Sequence, residues 1–277
     1  MSNRNIIRRV RGLPASDGAG LRLTRIIGQP TLDSLDPFLL LDAFGSTQGS
    51  DYIAGFPDHP HRGFETVTYM LAGRMRHRDN VGNSGLLTAG GAQWMTAGRG
   101  LIHSEMPEQS EGEMRGFQLW VNLPATHKMM APRYQDIEPE RVPVCTPVPG
   151  ARLRVIAGNV LGVEGPVDGI VTKPIFIDIA LDAGARLSLP VPATHTAFVY
   201  PFEGAELVLG SSSLPLGELG VLDQGDSVEL SAPSGTVRMI LAAAAPLREP
   251  VARWGPFVMN TEAEIRQAIA DYRSGRL

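Results

Sequence analysis

The sequence predicts an all-β protein with a single α-helix near its C-terminus. Most of the chain consists of short segments in which apolar and polar residues alternate. The clearest of these cover residues 21–27, 65–71, 117–123, 152–156, 175–181, 197–200, 206–209 and 237–241. Gly and Pro, of which the chain has 31 and 22, separate nearly all of them. Short, regularly spaced strands with turn residues between them are typical of a β-sandwich or a β-barrel.

The predicted helix has clear signals at both ends. Thr261 is a good N-cap, and Glu264 stands three residues later, which is the spacing of a capping box. Ile265 and Ala268 follow at helical spacing and begin an apolar face, and Gly275 can end the helix. We expect this helix to pack against the β-structure.

A proline-rich stretch separates two parts of the chain. Prolines at 124, 132, 139, 143, 147 and 149 exclude a central strand there and disfavour a long helix. A length of 277 residues allows one large domain or two ordinary ones. We therefore expect two domains, residues 1–134 and residues 135–277.

An internal repeat supports this division. Residues 66–73 align with 197–204, which matches Tyr69 with Tyr200 and Gly73 with Gly204. Residues 87–97 align with 222–232 in the same order. The sequence therefore predicts a tandem duplication of one β unit.

Composition excludes several classes of function. The formal net charge of -4 argues against a duplex-DNA binder, and 6% aromatic residues give few stacking surfaces for single strands. The longest apolar run, residues 239–247, is too short to cross a bilayer. The first twelve residues lack the apolar core of a secretory signal. With Cys145 as its only cysteine, the chain is expected to be cytoplasmic and to bind neither membrane nor nucleic acid.

Four potential metal ligands lie in the N-terminal half. His59 and His61 are separated by one residue, and so are His103 and Glu105. Because side chains two residues apart in a strand point to the same face, each pair can present its donors together. If the two segments form facing or neighbouring strands, the four donors converge. Imidazole and carboxylate donors suit a divalent transition metal.

The repeat provides an internal comparison for these donors. Its two offsets place Pro190, Pro192, Arg238 and Ile240 opposite the four candidate ligands. The second half therefore keeps the strand pattern and lacks the donors. This asymmetry favours a functional site over a structural role for the histidines.

The segments around the donors resemble the pirin family of cupins. Residues 59–73 (HPHRGFETVTYMLAG) are similar to the first cupin motif in its pirin form, and residues 93–107 (QWMTAGRGLIHSEMP) to the second. Residues 116–124, 246–250 and 255–261 also resemble that family. The resemblance implies a bicupin, which consists of two tandem cupin-type β-barrels, here with a short C-terminal α-helix and metal in the first barrel alone.

The same resemblance assigns the metal-ligand roles to His59, His61, His103 and Glu105, and it implies Fe(2+) as the usual ion. Ligand chemistry alone also permits manganese, nickel, copper or zinc. Four ligands leave up to two positions open on an octahedral ion, as in the sites of non-haem iron oxygenases. We expect Glu105 to act as the catalytic residue as well, by leaving the ion and taking a proton from a substrate hydroxyl.

Three further residues are candidates for supporting the ligands. Many cupins use the Glu four residues after the second His, here Glu65, and period-2 geometry places it on the face of His61. Pirins also carry a histidine at the position of His77. The main interpretation of His77 is that it lies in a solvent-facing loop, and the alternative is that it lines the site. Gln118 can face the pocket, pack within the sheet or be exposed. For Arg62, we favour a structural salt bridge over attraction of an anionic substrate.

Similarity to pirins implies a named reaction, the opening of quercetin by a 2,3-dioxygenase with release of carbon monoxide. The first hypothesis is therefore a metal-dependent dioxygenase whose substrates are dioxygen and a flavonol or similar enol-bearing aromatic. The alternative is a non-catalytic, metal-dependent regulator that binds a transcription factor or a metabolic enzyme. An open, apolar-walled cavity favours catalysis, whereas a sealed metal beside a surface patch favours the regulator.

Overall fold

A computed structural model describes residues 2–277 and contains strands, short 3-10 turns and one α-helix. The first twelve strands are β1 (Ile6–Arg11), β2 (Leu13–Asp17), β3 (Leu21–Ile27), β4 (Phe38–Ser46), β5 (Phe56–His61), β6 (Phe64–Ala72), β7 (Arg74–Asp79), β8 (Ser84–Thr88), β9 (Ala92–Thr96), β10 (Leu101–Pro107), β11 (Met114–Asn122) and β12 (Arg133–Ile137). The others are β13 (Val144–Cys145), β14 (Ala151–Ala157), β15 (Asn159–Val160), β16 (Val163–Glu164), β17 (Ile175–Leu181), β18 (Arg186–Pro190), β19 (Thr196–Gly204), β20 (Leu207–Leu209), β21 (Ser212–Leu214), β22 (Glu218–Leu222), β23 (Ser227–Ser231), β24 (Val237–Ala244), β25 (Ala252–Trp254) and β26 (Phe257–Met259). The helix α1 spans Glu262–Arg273.

Contacts divide the chain into two compact units that interleave in sequence. The N-terminal unit comprises Leu13–Pro139 and Leu247–Leu277. The C-terminal unit comprises Glu140–Pro246 and the residues up to Gly12. Each unit therefore takes in a terminal segment from the other half of the sequence. As limits of independently folding domains, 1–134 and 135–277 stay a prediction.

Both units are built from the same pair of sheets. In the N-terminal unit, a seven-stranded sheet has the order β12-β9-β6-β11-β4-β3-β2 and a four-stranded sheet the order β5-β10-β7-β8. In the C-terminal unit, the corresponding orders are β1-β22-β19-β24-β17-β14-β13 and β18-β23-β20-β21. β6 and β19 occupy the same place in their sheets, which agrees with the first alignment of the repeat. The predicted all-β architecture is confirmed.

The strand orders correct the second alignment of the repeat. β9 lies beside β6, and the strand that lies beside β19 in the same way is β22, not β23. β23 instead takes the place of β10, the strand that carries His103 and Glu105. The sequence of β23 is SVELS, so the C-terminal unit still has no histidine at that place.

The interiors of the two units differ in polarity. The C-terminal unit buries a continuous apolar cluster that includes Leu153, Ile177 and Leu241. In the N-terminal unit, His103 and Glu105 are also fully buried. Burying polar groups costs free energy unless they are hydrogen-bonded or bind a ligand. The candidate ligands His103 and Glu105 thus lie in the interior of the N-terminal unit.

Helix α1 begins where the sequence predicts. The Thr261 side chain accepts a hydrogen bond from the Glu264 backbone N–H, and the Glu264 carboxylate accepts one from the Thr261 backbone N–H, which completes the capping box. Ile265 and Ala268 are buried against Phe257 and neighbouring residues of the β25–β26 hairpin. Within residues 2–277, no helix is both long and apolar enough to span a membrane.

The proline-rich stretch contributes one strand to the N-terminal unit. β12 follows Pro132 and pairs with β9 at the edge of the seven-stranded sheet. An edge position is the place where a neighbouring proline is tolerated, because only one side of the strand needs hydrogen bonds.

Candidate metal centre

The two histidine segments are neighbouring strands. β5 and β10 pair antiparallel in the four-stranded sheet, and their register places His103 directly opposite His59. His61, two residues along β5, points to the same face as His59. Strand pairing therefore brings the three histidines together.

The three imidazoles form a compact cluster. One ring nitrogen from each of His59, His61 and His103 lies within 4.8 Å of the others. The Nε2 atoms of His59 and His61 are 3.0 Å apart. His61 and His103 are buried, and His59 is half-buried. A cation in the middle of such a cluster could be reached by all three residues.

The hydrogen bonding of the rings fits a metal ion. The Nδ1 of His59 lies 2.8 Å from the Pro57 carbonyl oxygen, so Nδ1 donates and the lone pair resides on Nε2, which faces His61. Neither ring nitrogen of His103 has a hydrogen-bond partner in the part of the chain that the structure describes. Buried nitrogens without partners are rare and call for an explanation. Coordination of a metal by His103 provides one.

Electrostatics keeps two of these rings neutral. Burial, together with the neighbouring histidines, lowers the pKa of His61 and of His103 well below 6.5. A neutral imidazole offers a lone pair, whereas a protonated one repels a cation. At neutral pH, His61 and His103 are therefore in the form that binds a metal.

Glu105 lies on the same strand as His103 and is buried, but it is not part of the three-histidine cluster. Its Oε1 accepts a hydrogen bond from Thr68 Oγ1 at 2.8 Å. Its Oε2 accepts one from Gln118 Nε2 at 2.7 Å. The carboxylate is thus held by two donors from β6 and β11, and its roles as ligand and base stay a prediction.

Glu65, like Glu105, is not part of the three-histidine cluster. The chain turns at Gly63, where φ is +90°, so the alternation of β5 does not continue into β6. The Glu65 carboxylate accepts a hydrogen bond from Thr96 Oγ1 at 2.7 Å. Thr68, three residues further along β6, points to the opposite face and contacts Glu105. Period-2 counting cannot be continued from His61 to Glu65, because a turn interrupts the strand, and the role of Glu65 as a supporting or competing ligand stays a prediction.

His77 is a buried strand residue and not a loop residue. It lies on β7 opposite Glu105 of β10, with 1% of its surface exposed. Its ring contacts the Gln93 amide and stacks on Tyr134, with the ring centroids 5.3 Å apart. Burial lowers the pKa of His77. His77 therefore lies inside the barrel next to Glu105, which makes it a candidate for supporting that carboxylate.

An open cavity of about 530 Å³ adjoins the cluster. His59 and His61 lie in its wall, as do Gln118 and Trp120 of β11. Further wall residues include Leu40 and Phe56. The Trp120 ring lies edge-on to His61, with 5.2 Å between the centroids. Gln118, which also donates a hydrogen bond to Glu105, therefore faces the pocket, which is one of the three positions that the sequence allowed.

Sequence reasoning missed Trp120 and Arg253. Trp120 stands two residues after Gln118 on β11, so strand periodicity could have placed both on the pocket face. Arg253 lies on β25, more than a hundred residues later, and its guanidinium sits 5.0 Å from the centre of the Trp120 ring. No local pattern in the sequence indicates that the chain returns to this cavity.

Arg62 forms the structural salt bridge that the sequence favoured. Its Nη1 donates to Asp271 Oδ2 at 2.8 Å, and its Nε donates to the Arg99 carbonyl oxygen. With 4% of its side chain exposed, Arg62 is not available to a substrate.

Comparisons with known proteins cover the whole chain. The pirin family model matches residues 20–121, and the pirin C-terminal cupin domain model matches residues 176–277. A Pseudomonas aeruginosa protein provisionally named quercetin 2,3-dioxygenase is 49% identical over 99% of this chain and 98% of its own length. A pirin-like protein of Caulobacter vibrioides is 48% identical over 100% of both chains.

Solved structures agree with these matches. The crystal structure of a quercetin 2,3-dioxygenase from Acinetobacter baumannii has a TM-score of 0.91 and 32% identity, and the match covers 99% of this chain and 98% of that one. The expected bicupin architecture of two cupin domains is thereby confirmed. This chain belongs to the pirin family.

Proposed function

We propose that this protein is a metal-dependent dioxygenase, with iron as its ion, that opens quercetin or a related flavonol or enol-bearing aromatic. The observation that carries the proposal is the position of His59 and His61 in the wall of an open cavity of about 530 Å³. Cavities of several hundred Å³ with apolar walls suit aromatic small molecules. The activity named for the A. baumannii structure supports the same reaction class.

The reaction consumes one dioxygen for each flavonol and yields a ring-opened ester and one carbon monoxide. His59, His61 and His103, joined by Glu105, would hold the ion. When bound, the ion supplies Lewis-acid polarisation of the substrate oxygens and redox chemistry with dioxygen. Zinc could occupy the same ligands but has no redox chemistry. We propose iron because it is the ion that the resemblance to pirins implies.

The remaining steps fall to residues of the chain. Leu40, Phe56 and Trp120 contact the flat rings of the substrate and displace water from the cavity. Glu105 takes the proton of the enol hydroxyl, which makes that oxygen electron-rich before it reacts. Thr68 and Gln118 fix the orientation of the Glu105 carboxylate through one hydrogen bond to each oxygen.

The test is turnover of quercetin by the iron-loaded protein. We expect dioxygen uptake and release of an equal amount of carbon monoxide, together with bound metal in the protein as purified. His61→Ala should lose both the metal and the turnover. His127→Ala is the matched control, because His127 lies in the same unit, in a 3-10 turn outside the cluster, and its ring contacts Thr126.

Two outcomes would decide against the proposal. Iron-loaded, folded protein that consumes no dioxygen with quercetin would exclude this activity and favour the metal-dependent regulator. Full turnover by His61→Ala would show that the chemistry takes place elsewhere.

A further inference from the structure

The cavity beside the histidines has two arginines in its wall, Arg25 and Arg253, which differ in whether they form ion pairs. Arg25 is neutralised, because it donates to both carboxylate oxygens of Asp42, at 3.0 and 2.7 Å, and to Asp17 at 2.7 Å. Its charge is therefore used within the protein. Of the two arginines, Arg253 is therefore the one that can bind an anionic ligand in this cavity.

Arg253 is attracted by the carboxylates of Asp33, Asp42 and Asp17 but is not bound to any of them. Within residues 2–277 it forms no ion pair, and its contacts are the Trp120 ring at 5.0 Å and a long hydrogen bond of 3.3 Å to the Leu39 carbonyl oxygen. Asp58, which also lies in the cavity wall, is not paired with it. Among residues 2–277, Arg253 is thus a positive charge in the wall of an apolar-walled cavity that no carboxylate holds in an ion pair.

Trp120 connects this charge to the histidines. Its ring centroid lies 5.2 Å from that of His61, and the Arg253 guanidinium lies 5.0 Å from the Trp120 ring. His61 is buried, whereas Arg253 is exposed. All three residues line the same cavity, so a flat molecule that reaches His61 along the Trp120 ring can extend to Arg253.

We propose that Arg253 selects substrates that carry an anionic group, a carboxylate or a phenolate, at the end remote from the histidines. The inference rests on the proposed function for the claim that the bound molecule is a substrate. A guanidinium presents two parallel N–H groups to a carboxylate, and its stacking on Trp120 keeps it oriented. The substrate class is then a planar aromatic anion with an enol or phenol oxygen at its inner end.

The test compares two ligands of equal shape and different charge. The probes are 6-hydroxy-2-naphthoate and 6-hydroxy-2-naphthamide, titrated calorimetrically into the protein as purified, under argon so that no turnover occurs. We expect the wild type to bind the carboxylate about five-fold more tightly than the amide, which is the scale of a partly solvated ion pair. Arg253→Met should bind both probes equally, with its affinity for the amide unchanged.

Two variants serve as controls. Arg253→Lys keeps the charge without the planar fork and should keep part of the preference. Arg266→Met removes a positive charge from the exposed face of α1, where Arg266 pairs with Glu262, and should keep all of it. If Arg266→Met lost the preference for the carboxylate as Arg253→Met does, overall net charge would explain the effect and the inference would be wrong.

Other results separate the inference from the proposed function. A carboxylate preference that persists in Arg253→Met, or that is absent from the wild type, overturns the inference even if quercetin is turned over. A preference that depends on Arg253, without any turnover of quercetin, supports anion recognition at this cavity and contradicts the proposed reaction.

Discussion

Arg62, the residue that follows His61, is joined by a 2.8 Å ion pair to Asp271 near the end of helix α1. The pair is largely shielded, with 4% of the Arg62 side chain and 15% of the Asp271 side chain exposed. Arg62 also donates to the Arg99 carbonyl oxygen. The C-terminal helix therefore anchors the turn that ends the strand of the two cavity histidines.

This anchor predicts a pH-dependent stability. The hydrogen bond from Arg62, with further ones from Gln267 and Arg276, lowers the pKa of Asp271 from 3.8 to about 2. Because the pKa is lower in the folded state, the contribution is complete above pH 4 and is lost as the pH falls through 2. Asp271→Asn should therefore lower the melting temperature at pH 7, and its difference from the wild type should shrink below pH 4.

The measurement is the melting temperature of both proteins between pH 7 and pH 3. Glu262→Gln is the control, because Glu262 on the same helix pairs with Arg266 in full exposure, and such pairs contribute little. An Asp271→Asn protein as stable as the wild type at pH 7 would show that the helix is held by its apolar face alone.

Two buried glutamates of the N-terminal unit, Glu65 and Glu105, are expected to differ in their effect on metal binding. Glu105 lies on the strand of His103, whereas Glu65 bonds to Thr96 on the other face of β6. Glu105→Gln should therefore lower the metal affinity at least ten-fold, and Glu65→Gln should leave it unchanged. Metal content after dialysis against a chelator measures this. The reverse result would make Glu65 the ligand.

Much of this fold and site follows from local sequence pattern. The alternation at 21–27 and 175–181 coincides with β3 and β17, and the Thr261 capping box is present as expected. His59 and His61 could be placed on one face because both lie within a single strand. Local periodicity is reliable where one strand or one helix contains the whole pattern.

The parts that could not be predicted depend on contacts between distant segments. The orientation of Glu65 depends on the turn at Gly63, which breaks the alternation. His77 is buried because β7 pairs with β10, and no feature near His77 shows this pairing. Arg253 reaches the cavity on a hairpin that the chain forms only after the whole C-terminal unit.

Glu65 predicts a second pH effect, of opposite sign to that of Asp271. Burial raises the pKa of Glu65 from 4.5 to about 7. Since the folded state holds this proton more tightly than the unfolded state, stability falls as the pH rises from 4.5 to 7. Glu65→Gln should remove that loss and make the protein more stable than the wild type by about 3 kcal/mol at pH 8.

Tryptophan fluorescence during urea unfolding is a suitable measurement for Glu65→Gln. The three tryptophans, Trp94, Trp120 and Trp254, all lie in the N-terminal unit, so the signal reports on the unit that contains Glu65. Below pH 4.5 the gain should vanish. A gain of the same size at every pH would mean that titration of Glu65 is not its cause.

Replacement of Lys128 by Met is expected to lower the free energy of unfolding strongly. Its buried ammonium donates to the Gly63 carbonyl oxygen at 2.8 Å, to Asn122 Oδ1 at 2.7 Å and to the Val258 carbonyl oxygen at 3.0 Å. Lys128→Met leaves three buried acceptors without donors and should cost about 3 kcal/mol. Lys173→Met, at an exposed position of the C-terminal unit, should change the stability by less than about 0.5 kcal/mol. Equal effects of the two substitutions would contradict this account.

The hydrogen bond from Thr68 to Glu105 predicts an effect on metal binding without loss of the fold. Thr68→Val keeps the size of the side chain and removes the donor to Oε1, so Gln118 alone orients the carboxylate. Groups that orient a ligand typically change metal affinity ten-fold or more, and we expect a loss of about ten-fold. Thr66→Val is the matched control, because Thr66 is also buried on that face of β6 but, within residues 2–277, forms no hydrogen bond to Glu105. Metal titration of both variants measures the difference. Equal losses would show that polarity of the β6 face matters and that the contact with Glu105 does not, which would also weaken the assignment of Glu105 as a ligand.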